Sequence, residues 1–299
     1  MASLHFIAPA TPGDAGPSLT LPAGWRTRVG SLRRTVALVL ALAVVALALG
    51  WAFLPHVFST QSPFETRVAL RLRPPSWAHW FGTDYLGRDV YARVVHGAAL
   101  SLKATVIAVA LGLAAGCVLG LLAGFSRRAV DDAVMRAVDV LLAIPSLLLS
   151  LMVVTVLGFG TVNVALAAGV ATIATFARLM RAEVLRIKAH AYVEAAFGSG
   201  ERWFSVLRRH ILPNAAGPVL VLAGLEFGAA ILAVSALSFL GFGAAPPAPE
   251  WGTLVAEGRN YLVRAWWLTA MPGGVIILVV LSTNSLGKTF ERLRLREAR

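Results

Sequence analysis

Residues 104–125 read ATVIAVALGLAAGCVLGLLAGF, a run without a single charge. At about 1.5 Å of rise per residue, a helix of this length crosses the roughly 30 Å hydrocarbon core of a bilayer. A stripe of small residues lets a neighbouring backbone approach closely, so the run predicts a membrane helix that packs tightly within its own chain. A subunit interface or a moving gate contact is the alternative. The stripe recurs at every fourth position: Ala104, Ala108, Gly112, Gly116, Gly120 and Gly124.

The composition of the whole chain also indicates a membrane protein. Of its 299 residues 58% are hydrophobic and 14% are charged, whereas soluble proteins carry about 25% charged residues. This balance excludes a soluble globular enzyme and an intrinsically disordered chain. The single cysteine, Cys117, excludes an internal disulfide and a multi-cysteine metal site, and its apolar surroundings predict a small buried side chain.

Five further apolar runs bring the predicted number of membrane spans to six, in an all-α integral membrane protein. The first run follows Arg33 and Arg34 as a secretory signal would, but its apolar core is longer than the roughly 7–15 residues of a signal sequence, which predicts a retained anchor. Proline predicts kinks at Pro145 in the third span and Pro272 in the sixth. The runs are Thr35–Leu54, Val140–Phe159, Val162–Ala177, about Ala215–Phe242 and about Trp266–Leu286.

The distribution of basic residues predicts that both termini are cytoplasmic. With the N-terminus inside, 19 of the 27 lysines and arginines fall in cytoplasmic segments, as the positive-inside rule requires. The segment Pro55–Leu100 is extracytoplasmic in this topology yet carries five arginines, several of them far from the membrane ends, where the rule is weak. The cytoplasmic basic residues are Arg26, Arg28, Arg33, Arg34, Arg127, Arg128, Arg136, Arg178, Arg181, Arg186, Lys188, Arg202, Arg208, Arg209, Lys288, Arg292, Arg294, Arg296 and Arg299.

This topology divides the chain into four parts. Residues 1–33 form a flexible cytoplasmic tail, because proline and glycine recur there with almost no apolar periodicity. Residues 34–100 hold the first span and an extracytoplasmic loop. Residues 101–287 form a core of five spans that includes the longest cytoplasmic loop, residues 178–214, and residues 288–299 are a cytoplasmic C-terminal tail.

Glu226 is the one acidic residue well inside an apolar run. An ionisable group in a membrane span is costly and generally faces a cavity or a partner, so Glu226 is a candidate pathway or gate residue. Gly224 and Gly228 flank it and predict a tight helix contact. The alternative is a structural carboxylate that is satisfied by neighbours or lies near the membrane surface.

The 178–214 loop has the composition of a folded segment. Good helix formers predict a helix over Arg181–Ala196, which Ser199 and Gly200 break. A second basic amphipathic stretch runs from Glu201 to His210 and is ended by Pro213. Two short helices joined at a glycine make a compact cytoplasmic knob, which either docks a partner or lies on the lipid surface.

Three groups of residues in this loop resemble the EAA motif of ATP-binding-cassette importer permeases. They are Glu194-Ala195-Ala196, then Gly200, then Leu212-Pro213. The resemblance implies that the loop forms a coupling helix seated in a groove on an ATPase subunit. In that family the alanine pair permits close approach and the glycine permits the turn. Here Gly198 departs from the helix-favouring residues usual before the glycine, which predicts that the coupling helix ends early.

Other segments are similar to the peptide and nickel permeases within that family. The resemblance extends from about Trp77 to Arg294 and identifies the chain with the C-type permease of dipeptide and oligopeptide transporters. The matching segments are FGTDYLGRD at 81–89, HILPN at 210–214, SFLGFG at 238–243, Pro246-Pro247, Trp251-Gly252 and EGRNY at 257–261.

The family implies a transport component of the bacterial inner membrane with no catalytic, metal or cofactor site of its own. ATP and Mg²⁺ would be bound by two partner ATPase subunits, and the chain would also pair with a homologous permease and an extracytoplasmic substrate-binding protein. Di- and oligopeptides are the expected substrates, with nickel complexes, glutathione and antimicrobial peptides as alternatives. A non-transporting scaffold or receptor and an intramembrane enzyme are the rival hypotheses, but the chain has no HExxH, GxSxG or GxxxxGK[ST] motif and no nucleic-acid partner is expected.

Overall fold

The computed structural model describes the backbone of residues 23–297 and the side chains of residues 35–292. The chain divides into two units, residues 1–37 and residues 38–299. The first unit contains the beginning of α1, and every other helix described below belongs to the second unit. Within the described residues the protein is helical and has no strand, apart from an isolated bridge between Thr83 and Asp89.

Eleven α-helices follow one another along the described part of the chain. Short 3₁₀ turns lie at Val68–Leu70 and Arg259–Tyr261, and a π-helical turn lies at Leu207–Ile211. The α-helices are α1 (Ala23–Phe53), α2 (Pro55–Phe58), α3 (Val90–Phe125), α4 (Arg128–Ala143), α5 (Ser146–Leu157), α6 (Thr161–Lys188), α7 (Ala191–Gly198), α8 (Trp203–Val206), α9 (Leu212–Phe239), α10 (Trp251–Gly258) and α11 (Trp267–Glu297).

The predicted all-α membrane architecture is confirmed. Among the residues described, five helical segments are each long and apolar enough to span a bilayer. They are Thr35–Phe53 of α1, α3, α6, the continuous helical stretch Trp203–Phe239, and Trp267–Arg292 of α11. The pair α4 and α5 adds a sixth span if the two helices are counted as one. The helix limits differ from the predicted runs, since α3 begins at Val90 and α11 continues to Glu297.

The predicted third span, Val140–Phe159, is not one kinked helix. The chain bends by 97° between α4 and α5, at the break that contains Pro145. A helix rarely continues through the residue before a proline, and the proline here stands at the start of a new helix instead of inside an old one. The apolar run therefore joins the end of an amphipathic helix to a short apolar one, and the one-helix prediction was wrong because it counted only uncharged residues.

The helix limits predicted for the 178–214 loop were also wrong. Helix α6 continues from the membrane to Lys188, so the expected helix over Arg181–Ala196 is split at Ala189 and His190. Pro213 does not end a helix but lies in the first turn of α9, directly after the π-helical turn. The predicted break at Ser199 and Gly200 is present.

The glycine stripe of α3 packs on α6 of the same chain. A methyl group placed on Gly116 would lie 2.5 Å from Phe176 Cβ, and one placed on Gly120 would lie 2.5 Å from the Ala177 carbonyl oxygen. Gly124 faces Val184 in the same way, one turn further along. Because this face of α3 has no side chains, the backbones of α3 and α6 are in direct contact, and the two helices pack closely.

Two hydrophobic clusters lie towards opposite ends of α3. The α7 end, as we call it, carries the Gly124 end of α3, and there Val193, Val206 and Ile211 join the cluster formed by α3, α6 and α9. The α10 end carries the Val90 end of α3, and there Trp251 and Trp267 join the cluster formed with α1, α10 and α11.

Candidate functional site

The short helix α7 is anchored to the bundle through one face. Val193 is fully buried and Ala196 is 9% exposed, and both belong to the cluster at the α7 end. The spacing of three residues places the two side chains on the same side of the helix. Because both anchors are small, the axis of α7 lies close to the surface of the bundle.

The other face of α7 is open. Glu194 and Ala195 are exposed, and the rings of Tyr192 and Phe197 are exposed by 44% and 42%. The sequence motif therefore divides in two, since Ala196 packs inward whereas Glu194 and Ala195 point outward. A short helix that exposes a carboxylate and two aromatic rings is suited to a protein partner, because aromatic residues are enriched at protein interfaces.

The helix ends at Gly198, as the sequence predicted from the low helix propensity of that residue. Gly200 follows with φ of +84°, a conformation that favours glycine, and the chain reverses there towards α8. Leu212 and Pro213 are exposed at the start of α9. The three parts of the motif are therefore an exposed helix face, a left-handed turn and an exposed helix start.

Hydrogen bonds hold this loop in place. The Asn214 side-chain amide donates to the His210 carbonyl at 2.6 Å and to the Tyr192 hydroxyl at 3.4 Å, which joins α7 to the start of α9. The Ser205 hydroxyl donates to Glu201 at 2.9 Å. No local sequence pattern indicated the Tyr192–Asn214 contact, because the two residues are separated by 22 positions and a turn.

Ion pairs attach α4 to the same end of α6. Arg181 donates to Asp131 through two nitrogens, at 2.5 and 2.6 Å, in a bidentate arrangement. Arg178 contacts Asp139 at 2.5 Å, with both side chains more than half exposed. Asp139 lies near the C-terminal end of α4.

At the α10 end, the segment FGTDYLGRD forms a buried ion cluster. Asp84 accepts from Arg88 Nε at 2.6 Å and from Arg93 Nη1 at 3.0 Å. Arg93 also donates to both carboxylate oxygens of Glu257, at 2.5 and 3.2 Å, although Arg93 is only 1% exposed. Residues from the segment before α3, from α3 itself and from α10 therefore meet in one charged cluster.

The same segment starts α3 and orders the loop before it. The Asp89 carboxylate accepts from the Ala92 backbone N–H at 2.7 Å as the N-cap of α3, and its other oxygen lies 2.7 Å from His79 Nδ1. Gly87 has φ of +78°, and any side chain there would collide with the backbone of Arg67. The motif residues thus have a structural function that fixes the start of the longest membrane helix.

A second buried carboxylate, Glu250, fixes the turn between α9 and α10. It accepts from Ser238 Oγ at 2.8 Å and from the Ala244 backbone N–H at 2.7 Å, and it is 1% exposed. The Trp251 indole next to it donates to the Val94 carbonyl at 2.9 Å. Sequence reasoning missed Glu250. Its position between the proline-rich segment 246–249 and Trp251 was the available signal.

Glu226 is half-buried on α9 and makes no hydrogen bond or ion pair with another described residue. Its neighbours Gly224 and Gly228 face α11, where a methyl group on Gly228 would lie 2.5 Å from Asn284 Oδ1. Two positions along a helix turn by about 200°, so Glu226 faces away from α11, towards the side on which Leu222 and Ala230 join the central cluster. Among the described residues, no group of three or more His, Cys, Asp or Glu side chains could hold a metal ion.

Comparison with known sequences relates most of the chain to transport proteins. Residues 116–296 match the family described as binding-protein-dependent transport system inner membrane component. The chain is 37% identical to the dipeptide transport system permease protein DppC of Alkalihalophilus pseudofirmus over 88% of this chain and 86% of that one. It is 39% identical to the di/tripeptide permease protein DppC of Pseudomonas aeruginosa over 96% and 95%, and 41% identical to the glutathione permease protein GsiD of Pectobacterium atrosepticum over 71% of each chain.

Solved structures with a similar fold come from ABC transporters. An amino acid ABC transporter determined with histidines aligns with a TM-score of 0.53 at 20% identity, covering 68% of this chain and 94% of that one. The MetNI methionine ABC transporter, in inward-facing conformations, aligns with a TM-score of 0.55 at 18% identity, covering 67% and 95%. At these identities the likeness describes the fold alone.

Proposed function

The chain belongs to the family of binding-protein-dependent transport system inner membrane components, and from that membership we propose that it is the permease subunit of an importer for dipeptides and short oligopeptides. It is an ABC importer permease by relationship to its curated relatives. The single observation that carries the proposed mechanism is the open face of α7, on which Glu194 and Ala195 are exposed while Val193 and Ala196 hold the helix to the bundle.

The proposed partner of this face is an ATPase subunit. Because the anchoring side chains are small, α7 packs directly on the bundle. A displacement of α7 by a partner would therefore also displace α6 and α9. Glu194 would meet a basic group in the groove of the partner, and Tyr192 and Phe197 would fill apolar space beside it. Aromatic side chains are enriched in the contact surfaces of protein interfaces.

The proposed assembly contains this chain, a homologous second permease, two ATPase subunits and an extracytoplasmic substrate-binding protein. ATP and Mg²⁺ would be bound by the ATPase subunits. The assembly would lie in a bacterial inner membrane with the α7 end, and both termini, facing the cytoplasm. The α10 end would then face the binding protein.

Transport would follow from two conformations of the permease pair. Closure of the ATPase subunits around ATP would move α7 and rock the helices, so that a pathway between the two permeases opens to one side and then to the other. ATP and the loaded binding protein shift this equilibrium only by their difference in affinity for the two states. Glu226, which is half-buried in α9 and makes no hydrogen bond or ion pair with another described residue, is the proposed pathway or gate residue.

The proposed substrates are short peptides, because two relatives that match 88% and 96% of the chain are named for dipeptide and di/tripeptide transport. Glutathione is a second candidate, favoured by the 41% identity to GsiD. Uptake of a radiolabelled dipeptide, challenged in turn by unlabelled tripeptide, glutathione and nickel, distinguishes these candidates. Competition by glutathione alone would replace the peptide proposal with the second candidate.

The coupling proposal predicts the effect of Glu194→Lys. Reversing this charge opposes the basic group expected on the ATPase, so substrate-stimulated ATP hydrolysis and uptake should fall by about tenfold or more. The variant should still insert and assemble, because the Glu194 side chain is exposed and makes no hydrogen bond or ion pair with another described residue. Uptake and ATPase rates of the reconstituted complex are the measurements.

The matched control is Glu291→Lys, which reverses another exposed carboxylate at the α7 end of the bundle, on α11. This control should transport normally. Uptake by Glu194→Lys at the level of the control would refute the coupling role of α7, while leaving the membership of the family untouched.

A further inference from the structure

An apolar groove lies at the α7 end, between the last two turns of α3 and the start of α8. It encloses about 430 Å³ and is open on one side. Trp203 closes it at one edge and is 61% exposed. The other main lining residues are Val118, Leu121, Leu122, Phe125 and Leu207.

The groove uses the face of α3 that the glycine stripe leaves free. Val118, Leu122 and Phe125 are spaced by four and three residues and share one side of the helix. Gly116 and Gly120 lie on the opposite side, against α6. Val118 and Leu122 are therefore 56% and 50% exposed, and at this depth of a membrane helix such side chains meet hydrocarbon.

The end of the groove lies at the depth of the membrane surface. The uncharged run of α3 begins after Lys103 and ends before Arg127, which corresponds to about 34 Å of helix and so to one bilayer core. Lys188 Nζ lies 5.2 Å above the Phe125 ring and donates to the Gly124 carbonyl at 3.0 Å. Phe125 in turn contacts Trp203, with 6.5 Å between ring centroids. Lysine and tryptophan at this position are typical of the lipid headgroup level.

Free positive charges surround this end of the groove. Arg127 and Arg128 directly follow the lining residue Ser126, and Arg202 directly precedes Trp203. All three arginines are exposed, and their side chains make no hydrogen bond or ion pair with another residue in the described range 35–292.

The nearby acidic groups do not cancel these charges. Asp131 is bound by Arg181 through two short hydrogen bonds, and Glu201 accepts from Ser205 and lies 3.9 Å from His210. Asp132 is exposed and offsets one of the cations. The rim of the groove therefore keeps a net positive charge next to an open apolar surface.

We propose that this groove is a binding site for an anionic phospholipid, with an acyl chain along Val118, Leu122 and Phe125 and the phosphate beside Arg127 and Arg202. Apolar contact along the chain and attraction at the phosphate are the two contributions such a lipid needs, and a neutral lipid would gain only the first. The bound lipid would connect the end of α3 with the segment that follows the α7 turn. A helix of a partner subunit is the competing occupant.

The test is lipid titration of the full-length chain in detergent, followed by native mass spectrometry with phosphatidylglycerol and with phosphatidylcholine of the same acyl chains. We expect phosphatidylglycerol to bind at least about fivefold more tightly, in keeping with the attraction of a single basic residue near a membrane surface. Arg127→Gln combined with Arg202→Gln should abolish this preference. Trp203→Ala should weaken both lipids alike.

The matched controls lie at the other end of the molecule. Arg71→Gln combined with Arg73→Gln removes two exposed arginines, and Trp77→Ala removes an indole that is 97% exposed. Both controls should leave lipid binding unchanged. Equal binding of the two lipids by the unaltered chain, or an equal effect of the controls, would overturn the proposal. The proposal would also be overturned if a photoreactive residue placed at position 122 crosslinked to a protein subunit, and not to lipid, in the assembled transporter.

Discussion

Gly116 and Gly120 show how a single hydrogen atom in place of a side chain determines a helix contact. At both positions the nearest atoms beyond the helix belong to the backbone or Cβ atoms of α6, which cannot rotate away. A larger residue therefore has no rotamer that avoids the clash, and the helices must separate. In a bilayer the contact depends on dispersion and close packing, so separation removes most of its energy.

This contact predicts that Gly116→Val destabilises the bundle by about 1–3 kcal/mol, the usual cost of overpacking a close interior. The measurement is the thermal unfolding midpoint of the purified chain in detergent. Gly273→Ala is the matched control, because a methyl group on Gly273 in α11 meets no atom within 4 Å and alanine favours the helix. An unfolding midpoint for Gly116→Val equal to that of the control would show that α3 and α6 are further apart than described.

At the scale of elements, buried ion pairs join α3 to α10 and to the segment before α3. Arg93 in α3 contacts Asp84 before the helix and Glu257 in α10, so one guanidinium joins three separate stretches of chain. The carboxylates repel each other unless the arginines stand between them. The arrangement fixes the angle at which α10 returns to α3, which apolar contacts alone would leave less specific.

We therefore expect Arg93→Leu to destabilise the chain by up to about 3–5 kcal/mol, because among the described residues it leaves Arg88 as the one arginine facing the carboxylates of Asp84 and Glu257. Thermal unfolding in detergent again measures the effect. Arg71→Leu, which removes an exposed arginine of the same loop, should change the midpoint little. Adding Glu257→Leu to Arg93→Leu should recover part of the loss; no recovery would mean that Arg93 acts through packing and not through charge.

The elements differ in how far the sequence predicted them. The uncharged runs predicted the long spans, because every turn of a helix in the hydrocarbon core must be predominantly apolar. The bend at Pro145 was missed because α4 is amphipathic. Its acidic residues pair with Arg178 and Arg181 of α6, so only the last turn of α4 belongs to the uncharged run from which the span was predicted. The partners Arg93 and Glu257 are separated by 164 positions, and no local pattern connects them.

Across the whole molecule, the two ends are built for different tasks. At the α10 end, Arg93, Glu250 and Trp251 are buried almost completely and are hydrogen-bonded to distant parts of the chain. At the α7 end, small residues hold the loop while Tyr192 and Trp203 remain exposed. Buried hydrogen bonds therefore hold α3 and α10 together at one end, whereas small apolar anchors hold the loop at the other end.

The proposed orientation of the chain in the membrane can be tested with single cysteines in a Cys117→Ser background. Trp77→Cys lies at the α10 end and Phe197→Cys at the α7 end, both at exposed positions. If the α7 end is cytoplasmic, a membrane-impermeant maleimide should label Trp77→Cys in intact spheroplasts and Phe197→Cys only after permeabilisation. Cys117→Ser alone should remain unlabelled. The reverse pattern would place α7 outside, beyond the reach of any ATP-driven subunit, and would refute the import mechanism together with its orientation.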